Sequence, residues 1–327
     1  MKIALLHEHP EWSQRLIRRF RDDDIQTQAI DIAELSFDTA ALSPDYPLLV
    51  NRVNVMPSAG RPAAVAFHTV HFLRWLELAG VRVINGAQAH MTGASKVVQN
   101  GIFASLGLDF PAALAICRTE DAPAAAQRIG YPVIVKPNIG GSGAGIARYD
   151  DEAQLRRDVA AGALDLGIDG TGLVQAYIES DGFIQRVEVL GDELFYAIRQ
   201  RVRAGEFNYC AADGCHSSGD ALPDPAQAAA GEFDFCVATA DGASASAAIE
   251  PFLPDAAIIA RVVAILRTAG ADLGGVEYLI DQRSGRPCFY DFNPYSNFVT
   301  DGETLLGFSP EQRFVDFIRG LYPVGAG

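Results

Sequence analysis

Three scarcities bound what this chain can be. Cysteine is scarce: Cys117, Cys210, Cys215, Cys236 and Cys288 are five residues in 327, odd in number and scattered. Such a distribution excludes a disulfide framework and fits reduced thiols. Cys210 and Cys215 stand five apart with His216 adjacent, yet no second ligand pair follows at finger-like spacing, so a zinc site is not expected there. Positive charge is scarce as well, with 26 Lys and Arg against 41 Asp and Glu, a formal charge of −15 and a pI near 4.8. Nucleic acids and anionic membranes are bound by neutralising phosphates with Lys and Arg, so neither is an expected partner. Long apolar runs are missing too. The N-terminal one is too short for a signal peptide, and no later stretch reaches the ~18–20 residues of a membrane span. A cytoplasmic protein is expected.

What is present suffices for a large core: 49% of the residues are hydrophobic. The length suggests two or three domains. The first third alternates strand-like and helix-like runs: Lys2–Leu6, Glu11–Arg21, Gln26–Ile32, Pro47–Val53, Ala63–Ala79 and Val81–Asn85. That order predicts a parallel sheet covered by helices on both faces. A helix over Ser95–Leu106 follows. Strands at Ala112–Arg118, Tyr131–Pro137, Gly145–Tyr149 and Leu173–Ile178, with helices near Ala122–Ile129 and Asp151–Ala161, read as a small α+β module. Gln185–Leu190 and Glu193–Arg201 read as a hairpin turning at Gly191-Asp192. Arg203–Pro254 shows little periodicity and reads mostly as loop. Then come a helix (Asp255–Thr268), two apolar strands (Gly274–Asp281 and Pro287–Asn293) and a last helix (Pro310–Leu321). No internal repeat is visible.

The most informative segment is Val133-Ile-Val-Lys136-Pro-Asn-Ile-Gly-Gly-Ser-Gly-Ala-Gly-Ile146. An apolar strand delivers a lysine, and five of the next nine residues are Gly or Ser. Glycines let a loop bring backbone N–H groups close to an anion, and the lysine adds a mobile cation for phosphate. Neither common phosphate loop fits. A Walker A motif needs Gly-Lys, a pair the chain lacks; the dinucleotide fingerprint needs glycine where Ile146 stands. The bland alternative is a glycine hairpin with a surface lysine.

A second constellation is Gly275-Val-Glu277-Tyr-Leu-Ile-Asp281 with Cys288-Phe-Tyr-Asp291-Phe-Asn293. Residues two apart on a strand face the same way, so Asp291 and Asn293 share a face, and hairpin pairing would bring Glu277 beside them. Two carboxylates and an amide oxygen are hard ligands suited to Mg²⁺. A polar face on an exposed sheet is the alternative; Phe289, Tyr290 and Phe292 argue that the second strand is covered.

The order Lys96, Lys136-Pro-x-x-Gly-Gly-Ser-Gly-x-Gly, Gln175-x-Tyr177-Ile178, Arg186, Glu277 and Asp291-x-Asn293 resembles the ATP-grasp superfamily. Within it the chain is most similar to ribosomal-protein-S6 glutamate ligase and the lysine-biosynthesis ligase acting on carrier-protein-linked aminoadipate. The similarity runs from about Asn51 to Phe317 and is weakest in the first fifty residues and in Arg203–Pro254. It implies an α/β and α+β ATP-grasp fold: an N-terminal parallel α/β domain (1–90), a central lid module (91–178) and a C-terminal module (179–327) clamping the nucleotide. It further implies that Lys96 and Lys136 contact ATP phosphates under a glycine flap including Gly141, Ser142 and Gly143. Gln175, Tyr177 and Ile178 would form a strand edge bonding adenine through its backbone, and Glu179 or Asp181 would meet the ribose. Glu277, Asp291 and Asn293 would hold two Mg²⁺ ions, with Mn²⁺ as a substitute. At the first two of these metal positions the family often carries Asp and Glu, so both acids are exchanged in length here.

One departure concerns the catalytic cation. The S6-ligase pattern places Arg and Asn after a Gly-x-Phe, but Gly205-Glu-Phe207 is followed by Asn208-Tyr-Cys210. Arg199, Arg201 or Arg203 would have to replace that arginine, and Arg186 or Arg199 would stabilise the oxyanion. Asn208, Asn297 and His7 are candidate substrate contacts, each with an ordinary loop role as the alternative. The implied reaction is an ATP-dependent joining of a carboxylate to an amine through an acyl phosphate. The implied partners are amino acid or peptide substrates, or a carrier-protein terminus, and relatives commonly form homo-oligomers. Phosphoryl transfer to a hydroxyl and a non-catalytic nucleotide-binding module are the alternatives; the failed glycine fingerprint disfavours a dehydrogenase.

Overall fold

The computed structural model describes residues 2–41, 43–56, 61–140, 144–201, 208–210, 236–238, 249–296, 298–299 and 302–321. Strands β1 (Lys2–His7), β2 (Gln26–Asp31), β3 (Leu48–Asn51) and β4 (Arg82–Ile84) form a parallel sheet ordered β2-β1-β3-β4. Helices α1 (Pro10–Asp22) and α2 (Ala64–Leu78) cover it on opposite faces. Ile3, Leu5 and Val50 pack against Leu16 and Phe20 of α1, whereas Ala4, Leu6 and Leu49 pack against Phe72, Leu73 and Leu76 of α2. Coverage on both sides is why β1 is a continuous apolar run rather than an alternating one.

The chain then turns a corner that its periodicity does not announce. Helix α3 (Ala87–Ala94) ends at Ser95, whose extended backbone starts α4 (Lys96–Ser105) and whose hydroxyl caps the Val98 N–H. The central module follows: β5 (Ala113–Ile116), α5 (Ala122–Ile129), β6 (Val133–Pro137), β7 (Ala147–Tyr149), α6 (Glu152–Ala160) and β8 (Gly172–Ala176). Its antiparallel sheet is ordered β5-β8-β6-β7, and its core joins Val133, Val135 and Val174 to Ala122, Ala126 and Leu155 of the two helices.

The C-terminal part holds β9 (Phe183–Leu190), β10 (Glu193–Arg201), a separate two-stranded ribbon of β11 (Asn208–Cys210) with β12 (Cys236–Ala238), β13 (Ile249–Pro251), helix α7 (Ala256–Ala269), β14 (Leu273–Ile280) and β15 (Pro287–Asn293). Helices α8 (Gly302–Leu306) and α9 (Pro310–Gly320) close the described chain. The five-stranded order is β13-β10-β9-β14-β15, all antiparallel. The β9–β10 hairpin turns at Gly191, whose φ of +63° favours glycine. The expectation of loop over Arg203–Pro254 needs correction at three places, because β11, β12 and β13 lie inside that span. Three-residue strands leave no periodic trace; pairing with a neighbour makes them, as Arg199 opposite Glu250 does for β13.

One face of this sheet is apolar: Val187, Val189, Ala197, Val276, Tyr278, Phe289 and Phe292 pack on α7 and on Ile102 and Phe103 of α4. Over the other face lies the N-terminal sheet, sharing a core with Tyr196, Ile198, Phe298 and Phe314. Asn85 fastens the two: its Nδ2 donates to the carbonyls of Leu273 (2.6 Å) and Pro294, and its Oδ1 accepts from the N–H groups of Asp272 (2.8 Å) and Leu273 (3.2 Å). Among the described residues no helix is long and apolar enough to cross a membrane.

Candidate active site

Strand register lays out a grid of polar side chains. Arg186 of β9 stands opposite Glu277 of β14, which stands opposite Asp291 of β15. One pleat further on, Glu188 faces Gly275, which faces Asn293. Alternation puts all of these on the face away from α7. The expected sharing of a face by Glu277, Asp291 and Asn293 is therefore what the backbone produces.

Two lysines reach the same place from other elements. Gln99 ties α4 to β15, its amide donating to Phe292 O (3.0 Å) and accepting from Phe292 N (3.1 Å). That clamp sets Lys96, at the first turn of α4, with its ammonium bonded to Asp291. Asn138 brings β6 alongside: its carbonyl accepts from Lys96 N (3.3 Å), and its Oδ1 from Val97 N (3.0 Å) and Ser95 Oγ (3.1 Å). Lys136, two residues earlier, is 8% exposed.

The charges are strongly coupled. Burial, then the charge of Asp291, pushes the Glu277 carboxyl up to about 7 despite Arg186. Burial would raise Asp291 too, but Lys96 and then Lys136 pull it below the usual carboxylate range. Burial and the neighbouring Lys96 bring Lys136 down to about 8. Arg186 stays charged: burial opposes it, and Glu188 and Glu277 outweigh that opposition. Its Nε donates to Glu188 Oε1 (2.6 Å), Nη1 to Glu277 Oε1 (3.4 Å) and Nη2 to Tyr295 O (3.3 Å).

This donor set suits a hard divalent cation. Two carboxylates face each other, Glu277 buried and Asp291 half-buried, and burial together with the charge of Asp291 raises Glu277, a penalty that a cation would offset. Among the described residues no group of three or more His, Cys, Asp and Glu forms a metal cage. Mg²⁺ keeps several waters or phosphate oxygens and needs only one or two carboxylates, so the pair with the Asn293 amide fits its habit. Asn293 Oδ1 also accepts from Tyr295 N (3.0 Å), so that oxygen steers the following loop as well.

Several other candidates fall elsewhere. Arg199 does not join the grid. It stands opposite Gln185 on the other face, with its guanidinium on Glu250 (3.1 Å) and 4.8 Å from the Phe183 ring centre. Strand β8 is interior, not an edge: Gln175 pairs with Ala113 on one side and Ile134 on the other, and Tyr177 N–H donates to Pro132 O (3.1 Å). With that Tyr177 bond the chain leaves the ladder with β6. There the chain runs through half-buried Ile178 and Glu179, and Arg148 covers the Tyr177 ring at 4.1 Å. His7 sits at the end of β1, where burial lowers its pKa against the pull of Asp31; Arg61 bridges Asp31 (3.0 Å) and the Glu8 carbonyl. Gly141, Ser142, Gly143 and Asn297 lie outside the described residues, and Asn208 is described only as backbone of β11.

Sequence reasoning missed Glu188, although a strand residue two after Arg186 must share its face. It also missed Asn138, whose clasp on α4 joins segments more than forty residues apart.

Comparison with known proteins places the chain. Residues 102–193 match the family model described as carbamoyl-phosphate synthase L chain, ATP binding domain. A D-alanine--D-alanine ligase of Xanthomonas axonopodis pv. citri is 39% identical over 119 residues, 36% of each chain. The chain thus aligns with about a third of that relative's length. A probable alpha-L-glutamate ligase of Ectopseudomonas mendocina is 25% identical over 215 residues, covering 63% of this chain and 70% of the relative. The crystal structure of a RimK domain protein ATP-grasp from Sphaerobacter thermophilus superposes with a TM-score of 0.64 at 17% identity, over 97% of this chain and 99% of that one. The chain therefore shares its fold with that ATP-grasp protein, matches an ATP-binding domain in its centre and has proteins named as ligases among its relatives.

Proposed function

We propose that this protein is an ATP-dependent carboxylate–amine ligase that forms an amide through an acyl phosphate and releases ADP and phosphate. The observation that carries this reading is the row Lys96–Asp291–Glu277–Arg186, with Lys136 buried beside it, assembled from separate elements. ATP and a substrate carboxylate repel each other, and a protein of net charge −15 must gather cations locally to bring them together. Lys96 and Lys136 bind and orient the phosphates, and burial strengthens their pull. Mg²⁺ held by Glu277, Asp291 and Asn293 would supply charge neutralisation at the phosphate oxygens. The glycine-rich segment after Lys136, whose Gly141, Ser142 and Gly143 lie outside the described residues, would serve to keep water from the acyl phosphate. The Tyr177–Glu179 backbone holds the adenine, with the Glu179 carboxylate within reach of the ribose.

Arg186 serves the second step. A guanidinium carries five N–H donors, of which three are engaged, leaving one on each Nη for the oxyanion that forms as the amine attacks. The carboxylate and amine are amino acids or short peptides, in keeping with the names of the relatives, and the need for ATP places the protein in the cytoplasm. In this reading residues 91–178 act as the lid module between 1–90 and 179–327.

The test is an ADP-release screen over amino acids and short peptides, singly and in pairs, followed by ¹⁸O tracing. A ligase releases ADP best with one particular pair and moves ¹⁸O from the substrate carboxylate into phosphate. A stable phosphorylated product without amide would instead assign phosphotransfer to a hydroxyl, and no nucleotide turnover with any substrate would sink both.

A further inference from the structure

Behind the charged row stands a carboxylate that the proposed chemistry does not use. Glu188 lies one pleat from Arg186 on β9, opposite Gly275 on one side and Tyr196 on the other. It is 1% exposed; Oε1 accepts from Arg186 Nε at 2.6 Å, and Oε2 has no hydrogen bond of good geometry among the described residues. Burial raises its pKa, opposed first by the charge of Arg186 and less by the nearby Ser296 hydroxyl. A buried carboxylate so poorly satisfied costs stability, and an apolar side chain there would be cheaper, as Val187 and Val189 are on the opposite face. Room for it comes from β14. A Cβ at Gly275 would sit 2.5 Å from Glu188 Oε1 and 2.7 Å from Arg186 Nε, so glycine is what lets both charged side chains lie over that strand. Without Glu188, Glu277 would be the one carboxylate on Arg186 among the described residues, and it would draw the guanidinium towards the Asp291 side. Glu188 anchors Nε from the opposite side and thereby sets the plane of the fork.

We propose that Glu188, housed by Gly275, is a positioning residue that holds the Arg186 guanidinium so that its two remaining N–H groups meet the oxyanion of the amine-attack step. The inference rests on the ligase reading and concerns its second half-reaction. Glu188→Gln keeps the volume and removes the charge. Its kcat is expected to fall roughly 10–100-fold, the size of effect found when a partner orienting a site ligand is lost. KM for ATP should stay within about threefold, because the Lys96–Asp291 pair stands on α4 and β15, a strand removed from β9. ADP released should exceed amide formed, since acyl phosphate left waiting for the amine is hydrolysed by water back to carboxylate and phosphate. Glu188→Asp retains the charge at shorter reach and should fall between Glu188→Gln and the wild type. A merely structural role would lower the melting temperature without moving the ratio of ADP to amide.

A folded Glu188→Gln enzyme with wild-type kcat and coupling overturns the inference. Should that variant not fold, Glu188→Asp takes its place in the same comparison. The wild type is assayed alongside: if it makes no amide from any pair, the ligase reading fails and this inference with it. If it couples ATP to amide while the Glu188 variants match it, the inference alone fails.

Discussion

The two faces of the five-stranded sheet are made by the same strands and obey opposite rules. On the α7 side, Val187, Val189, Val276, Phe289 and Phe292 gain stability by leaving water, roughly in proportion to the area buried. On the other side, Arg186, Glu188 and Glu277 are buried as well and lose hydration for it, with half-buried Asp291 beside them. The first face tolerates any apolar side chain of similar volume; the second depends on each charge keeping its partner. Because side chains alternate, one strand supplies both, and the apolar face holds the charged one in register.

Four measurements would break or sharpen that contrast. Phe289→Ala hollows the apolar face between Phe103 and Tyr278, and about 3–5 kcal/mol of unfolding free energy should be lost in denaturant titration. A loss under ~1 kcal/mol would mean that this face does not carry the sheet. Lys136→Met removes a buried cation from the charged face while keeping its stem. ADP formation should drop roughly 10²–10³-fold or more with no loss of melting temperature, the cost of one transition-state donor being of that order. Near-normal turnover would remove Lys136 from the phosphate site.

A smaller effect belongs to the buried polar junction under the N-terminal sheet. His90 bonds the Tyr295 hydroxyl, and burial brings its pKa down from 6.5 to about 4. The unfolded chain therefore binds a proton more readily than the folded one, so this residue's contribution to stability is complete above pH 6.5 and is lost as pH falls towards 4. By that linkage stability should be about 2 kcal/mol lower at pH 5 than at pH 8 on account of His90. His90→Asn should flatten the slope of unfolding free energy between those values, and an unchanged slope would refute the assignment. The smallest effect is expected for Arg199→Ala. Its half-exposed pair with Glu250 lies on the wrong face for chemistry, so kcat should change less than about threefold and stability by under ~1 kcal/mol. A large kcat loss would show that Arg199 reaches the reacting groups after all.

Much of this arrangement was legible in the chain itself, and the boundary is informative. The β14–β15 hairpin, its two faces and the pairing of Glu277 with Asp291 follow from strand periodicity and the short connection. The glycine-rich segment after Lys136 suggests phosphate binding by composition alone, and its central residues lie outside the described structure. The placing of Arg199 was not legible, because sequence distance from Arg186 does not reveal strand register: Arg186 pairs with Ile198, one residue away, and that single step puts Arg199 on the opposite face. Gln175 looked like an edge because nothing local says that β8 will take a neighbour on each side.

The chain by itself determined which elements form and which of their faces are apolar, since helical and strand periods and the glycine positions are local properties of neighbouring residues. Tertiary structure alone decided the company each charge keeps. Lys96, Asn138, Arg186, Gly275 and Asp291 come from five segments, and whether a buried charge is a liability or a tool depends on what lies within a few ångströms of it. That proximity is created by clamps such as Gln99 on Phe292 and Asn85 on Leu273, whose hydrogen bonds exist only once the sheets have met.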